Sequence, residues 1–473
     1  MVDVRSRAAL ATAVAALLVL VGCTGGGDDG GGGVDVGGVR GTPGAAGLRD
    51  PYFPKLGNGG YDVTHYALDL AYDPKSGRLD GTAMITARAT QDLSAFNLDL
   101  AGLTVDSASV DGERASVNRA GNELTLRPSE DIDKGAVFRT TIAYSGRPAT
   151  ITGADGSQEG WLPTVDGALA LGEPVGSMAW FPGNHHPSDK ATYDITLTVP
   201  QGTQAISNGV RTSERTANGR TTSVWHSAEP MASYLATVAV GKFKTQVSAT
   251  PSGLPVLTAA DPSVAVKSAP LLARIPELLA WQVENFGPYP FSSTGAIVER
   301  NGDAGYALET QTRPVFPQDS LTVEILVHEL AHQWFGNSVT PATWKDMWLN
   351  EGFAVYAEWL YAEDFEATPA QVNFEAAFAA DANWAFPPSD PPSAENLFDP
   401  PVYQRGAMVL HKIRQQVGDE AFFELLSGWA AEHRHGNAST DDFTAYAEEV
   451  TGEDLDAVWD VWLNGEGKPK GPN

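Results

Sequence analysis

From about residue 57 the hydrophobic residues recur with a period of two. Tyr66, Leu68, Leu70 and Tyr72 alternate with Ala67, Asp69 and Ala71, and the alternation returns in Phe96, Leu98 and Leu100, in Leu124 and Leu126, and in Tyr193, Ile195, Leu197 and Val199. An extended chain turns successive side chains to opposite faces, so each run predicts a strand with one buried face. Turns rich in Gly, Pro or Asp, such as DPKSGRLDG, close the runs. Many short half-buried strands in succession predict an antiparallel β-sandwich or a saddle-shaped sheet pair, continuing to the strand-like LPVL at 254–257.

Near residue 263 the period changes. Leu271, Leu272, Ile275, Leu278, Leu279 and Val283 recur at helical spacing until the cluster FGPYPF, and most later segments repeat that spacing, ending with helical stretches at about 407–417, 420–433, 441–450 and 455–463. A β domain over 57–262 followed by a mainly α-helical domain over 263–473 is the predicted organisation, an α+β multidomain chain without internal repeats.

The first 22 residues have another pattern: Arg5 and Arg7, then the apolar run AALATAVAALLVLVG, then Cys23. The run has signal-peptide length and is short for a membrane span, so residues 1–22 read as an export signal. LVGC at 20–23 resembles the lipobox of bacterial lipoproteins, in which the cysteine is lipidated and becomes the first mature residue. Its acyl chains would hold the protein at the membrane surface, outside the cytoplasm. The glycine-rich stretch that follows leaves nothing to bury, and residues 23–56 are expected to form a flexible tether. Cys23 is the only cysteine, which excludes an intramolecular disulfide and a catalytic thiol elsewhere.

Composition narrows the partners. With 42% hydrophobic and 9% aromatic residues among 473, the chain can fill well-packed cores. Its 59 Asp and Glu against 31 Lys and Arg, a net charge of −28, argue against nucleic acid as a partner.

The chemistry concentrates at HELAHQWFGN, residues 328–337, inside a run from Leu321 to Phe335 that predicts one helix, with Asp319 or Ser320 as N-cap and Gly336 as terminator. His328 and His332 are four residues apart, hence on one helix face about 6 Å apart along the axis, where both imidazoles can reach one ion. Glu329 projects about 100° round from His328, beside such an ion and free to act as a base. A catalytic zinc needs a third protein ligand and an open position. Glu351, in WLNEGFA, begins another apolar helix 19 residues after His332 and can supply that ligand. Asn337, Asp346 and Glu358 lie where partners of the ligating histidines could lie, or where caps and surface acids would. His185 and His186 stand in a Pro-flanked turn and point apart, so they are not assigned a metal.

HELAHQWFGNSVTPATWKDMWLNEGFAVYAEW is similar to the signature of the gluzincin zinc aminopeptidases, the family of aminopeptidase N and leukotriene-A hydrolase. Upstream, EPVGSMAWFPGNHHPSDKATYDITLTVP and MASYLATVAVGKF resemble segments of that family's N-terminal domain; ENFGPYPF and VYQRGAMVLHKIR resemble segments of its catalytic domain. The resemblance implies a thermolysin-like catalytic domain after the β domain and one zinc ion held by His328, His332 and Glu351. Glu329 would be the general base toward zinc-activated water, and the hydroxyl of Tyr403 would stabilise the oxyanion. Glu309 matches the glutamate of the family's GxMEN strand, which binds the free α-ammonium group; here the stretch reads YALET at 306–310, with Gly, Met and Asn replaced. Glu173 matches a second amine-binding acid. The expected activity is removal of N-terminal residues from peptides by a monomer with a comparatively open cleft, since larger members continue into a further domain. Two alternatives stand beside it: a zinc endopeptidase, which would not need Glu309, and a catalytically silent peptide-binding lipoprotein.

Overall fold

The period-two runs form strands with their apolar side chains inward. Along Tyr61–Asp73 the residues Tyr66, Leu68, Leu70 and Tyr72 are buried, as are Tyr193, Ile195, Leu197 and Val199 along Lys190–Pro200. These two strands pair in register, Tyr66 opposite Tyr193, and the two rings stack with centroids 4.9 Å apart. The pairing is parallel, whereas the other pairings of their eight-stranded sheet are antiparallel. A parallel neighbour requires a long crossover. Here the chain between the two strands, besides adding to their own sheet, builds three strands of a four-stranded sheet and three of a five-stranded one. The computed structural model describes residues 41–471; the expected export signal, Cys23 and the first part of the expected tether lie outside the described residues.

The rest of the predicted tether is part of the folded body. Residues 41–56 lie against both halves of the chain: Thr42–Pro43 pairs with Leu93–Asp99, and Asp50 is buried. Asp50 Oδ1 accepts the N–H groups of Tyr52 and Phe53 at 2.8 and 3.0 Å, and Oδ2 accepts the N–H of Trp344 at 3.0 Å and faces Nε2 of His186 at 3.3 Å. The Tyr52 hydroxyl donates to the carbonyl of Pro391 at 2.7 Å, and the Phe53 ring meets Trp344 edge-on. Glycine content predicted a tether, yet one buried carboxylate with four polar partners and two aromatic rings is enough to order the segment.

The break between the two halves also falls earlier than residue 262. Pro255–Ala260, read as the last strand of the β domain, pairs in parallel with Thr294–Glu299, which pairs in parallel with Val315–Pro317. Lys244–Ala249 adds to the same sheet. The crossover from Pro255–Ala260 to Thr294–Glu299 runs through the helices Ala265–Leu272 and Ile275–Phe286, so strand and helices form one βαβ unit. This sheet therefore begins the second half. Helices dominate beyond it, including Trp348–Phe365, Gly406–Val417, Asp419–Glu432 and Thr440–Thr451.

Candidate active site

The helix that carries His328 and ends on His332 as its C-cap spans Val323–Ala331, shorter at each end than the Leu321–Phe335 run. Its N-cap is Thr322, not Asp319 or Ser320: the backbone there is extended and the hydroxyl accepts the N–H of Ile325 at 3.2 Å. At the other end the hydrogen-bond ladder loses its four-residue step: Gln333 and Trp334 donate to the carbonyls of Leu330 and Ala331, three residues back. Asn337, Ser338 and Val339 donate to the carbonyls of His332, Gln333 and Trp334, five residues back, so the α-helix stops at His332. Gly336 follows with φ +119, and a β-carbon there would lie 1.8 Å from Asn350 Oδ1, so glycine is required. Glu351 stands in the first turn of Trp348–Phe365, where an anion is favoured by the helix dipole.

These two helices bring the three candidate ligands together. Nε2 of His328 and Nε2 of His332 lie 3.3 and 3.4 Å from the same Glu351 oxygen, Oε2. Ligand atoms about 2.1 Å from a tetrahedral zinc lie roughly 3.4 Å from one another, so the set fits that ion. The remaining ring nitrogens are occupied. His328 Nδ1 is 2.6 Å from Glu358 Oε1, and His332 Nδ1 is 3.0 Å from the carbonyl of Phe335, contacts that leave each Nε2 for a metal. Of the three suggested supporting residues, only Glu358 touches a histidine ring. Asp346 instead caps its own turn and accepts from Thr440, while Asn337 donates through Nδ2 to the Glu309 carbonyl at 2.7 Å.

Glu309 lies outside any regular strand, in the bend joined by the bridge between Leu308 and Val315. Gln333 Nε2 and Asn337 Nδ2 hold its carbonyl, and Asn350 Nδ2 reaches its Oε1 at 3.3 Å. Carboxylate oxygens of Glu173, Glu309 and Glu351 lie within 4.8 Å of one another, and so do those of Glu309 and Glu329 with a nitrogen of His332. Tyr403 enters from the turn Pro401–Arg405, its ring parallel to that of His328 with centroids 6.3 Å apart. His328, Glu329, His332, Glu351, Glu173, Glu309 and Tyr403 all line one cavity of about 680 Å³.

Burial and crowding set the charges in this cavity. Burial pushes the Glu329 carboxyl up to about 8 against the pull of both imidazoles. Burial, reinforced by Glu309, Glu351 and Glu329, raises Glu173 well above its ordinary value, and burial also raises Glu309. Burial works the same way on Glu351, but His332 and His328 outweigh it and hold this carboxyl down at about 2. Burial disfavours a proton on His332, yet Glu351 and Glu309 lift it to about 9 in the metal-free protein. Burial, together with the surrounding carboxylates, raises the Tyr403 hydroxyl far above the usual phenol range.

Gln333 and Asn350, which hold Glu309 in place, carry no signal in the sequence beyond standing next to His332 and Glu351. Asp155, Ser157 and Phe398 also line the cavity and belong to no motif singled out above, whereas Tyr306 and Gln404 line it from within YALET and VYQRG, stretches in which neither carried a role from sequence alone. His185 and His186 stay apart from it. His185 lies against Ser233 Oγ and the Phe181 carbonyl, and His186 against Ser188 and Asp50.

Known proteins are similar to this chain in sequence and fold. Residues 62–235 match the peptidase M1 N-terminal domain and residues 308–462 the peptidase family M1 domain. Aminopeptidase M1-A of Oryza sativa subsp. japonica is 30% identical over 338 residues, 64% of this chain and 37% of that protein. Aminopeptidase 2 of Candida albicans is 25% identical over 445 residues, 86% of this chain and 47% of that one. The chain thus spans less than half the length of these curated relatives. The crystal structure of an M1 zinc metallopeptidase from Deinococcus radiodurans superimposes with a TM-score of 0.85 at 30% identity, covering 90% of this chain and 99% of that one. A mutant of that enzyme bound to a Tyr-Ser-Ala substrate superimposes with a TM-score of 0.84 at 30% identity, over 90% and 100% of the two chains. With one solved relative covered almost end to end and both halves matched in order, this chain belongs to peptidase family M1.

Proposed function

We propose that this protein is a zinc-dependent aminopeptidase that removes N-terminal residues from peptides. The observation that carries the reading is the pair Glu173 and Glu309, whose carboxylates converge beside Glu351 of the His328, His332 and Glu351 set. A generic zinc hydrolase has no use for two further buried carboxylates at that distance. A substrate's α-ammonium group satisfies both by charge-assisted hydrogen bonds, and only a peptide with a free amino end then presents its first carbonyl to the catalytic residues.

When bound, zinc supplies a Lewis acid that polarises the scissile carbonyl and acidifies water. Glu329 is the base: burial raises its carboxyl, His328 and His332 pull it back toward the charged form, and as the carboxylate it takes the proton of the attacking water and returns it to the departing amine. Tyr403 keeps its proton, because burial raises its hydroxyl, and donates a hydrogen bond to the oxyanion developing on the carbonyl. Glu358 and the Phe335 carbonyl fix both imidazoles through Nδ1.

Aminoacyl anilides compared with their N-acetylated forms, with and without a chelator, test the reading. Free-amine substrates are expected to turn over and blocked ones not, with activity lost on chelation. Equal cleavage of acetylated substrates would exclude the exopeptidase, and chelator-insensitive turnover would exclude the metal.

The protein is further proposed to be exported and lipid-anchored, on the strength of Arg5, Arg7, the apolar run and LVGC at 20–23. Labelled fatty acid should enter the wild-type protein and not Cys23→Ala; equal labelling of both would remove Cys23 as the anchor.

A further inference from the structure

The cavity has acidic and aromatic lining that this mechanism leaves unused. Asp155 and Ser157 come from the turn between Thr150–Thr152 and Gln158–Pro163, and Tyr306 comes from the segment leading to Glu309. Asp155 Oδ1 accepts from the N–H and the hydroxyl of Ser157 at 3.0 and 2.7 Å, which fixes the carboxylate; Oδ2 has no hydrogen-bond partner among the described residues. The Tyr306 hydroxyl is buried without a hydrogen-bond partner among the described residues, and so is Oε1 of Glu173. Glu159, Glu173, Asp155 and Glu309 are the charged groups that act on that hydroxyl, and all are carboxyls. No lysine or arginine lines the cavity among the described residues.

Buried polar atoms without partners keep their full desolvation cost until a ligand satisfies them. An α-ammonium group answers Glu173 and Glu309 but leaves the buried Tyr306 hydroxyl unmatched, and leaves the carboxylate of Asp155, exposed at the cavity wall, without a cation among the described residues. A second cation on the same substrate would match them. We propose that the cavity selects peptides with a basic N-terminal residue, with Asp155 receiving the guanidinium or ammonium head of that side chain. Tyr306 offers its hydroxyl oxygen as an acceptor and its ring face to the cation, while the alkyl stem lies against Tyr306 and Phe398. Tyr306 stands where the GxMEN pattern has glycine, so this wall is a feature of this chain's own sequence. The inference rests on the aminopeptidase reading above and names its substrate class.

The test uses the full, zinc-loaded protein with arginyl, lysyl and leucyl anilides near neutral pH, beside their N-acetylated forms. Arginyl and lysyl substrates are expected to exceed leucyl in kcat/KM by about tenfold or more, with the advantage shrinking as salt rises. Asp155→Asn should lower the arginyl-to-leucyl ratio by about tenfold, chiefly through KM, and Asp155→Glu should retain most of it. Tyr306→Phe should lower the ratio less. A leucyl substrate equal to or better than arginyl in the wild type, or Asp155→Asn lowering both by the same factor, would overturn the basic preference while leaving the aminopeptidase standing. Cleavage of acetylated and free substrates alike would remove both.

Discussion

At Glu329 several demands meet in one side chain. It is buried, its Oε2 has no hydrogen-bond partner among the described residues, and burial raises its carboxyl against the pull of both imidazoles, so these opposed influences bear on a group that must accept and then release a proton. Glu329→Gln should lower kcat by about a hundredfold to ten-thousandfold, with zinc content by metal analysis unchanged; full turnover would place the base elsewhere. The histidines allow a separate prediction. In the metal-free protein His332 is lifted to about 9 and His328 is raised as well, so both carry protons at neutral pH, while Glu351, held at about 2, is already ionised. Ligation requires neutral imidazoles. Zinc uptake should therefore release protons, and apparent affinity should rise as pH rises toward about 9. Calorimetry in buffers of different ionisation enthalpy measures this; an enthalpy independent of buffer would mean that the imidazoles are already neutral. His328, His332 and Glu351 were legible in the sequence because helical spacing and one following helix place them. Gln333 and Asn350 were not, since a neutral amide that holds a backbone carbonyl follows no pattern.

Among the elements, helix and strand types followed from periodicity, but helix ends and strand partners did not. The histidine helix begins at Val323 because Thr322 is extended and caps Ile325, although Asp319 and Ser320 are equally good capping types. Thr322→Ala should destabilise the protein by about 1 kcal/mol. Denaturant unfolding would show this as a lower midpoint with unchanged slope, and an unmoved midpoint would mean that the cap contributes nothing. The strand Pro255–Ala260 shows the same limit in a sheet. Its apolar residues mark it as a strand, yet only its parallel pairing with Thr294–Glu299 assigns it to the second half.

Over the whole molecule, the segment 41–56 binds the β-rich half to the helical one, through Asp50, Tyr52 and Phe53. Asp50→Ala would leave the Trp344 N–H and the His186 ring without their acceptor inside the protein. A loss of about 1–3 kcal/mol in chemical unfolding is expected, and no loss would mean that water replaces the carboxylate. The sequence by itself determined the order of a strand-rich and a helix-rich half, the helix bearing His328, Glu329 and His332, and the position of Glu351. These depend on contacts within a few turns of chain, which hydrophobic period and spacing encode directly. Only the tertiary structure decided that Glu173 meets Glu309 and Glu351, that residues 41–56 are ordered, and that Asp155 and Tyr306 share the cavity. Each of these joins residues far apart in the chain, and their approach is set by how the sheets and helices pack, which no local pattern records.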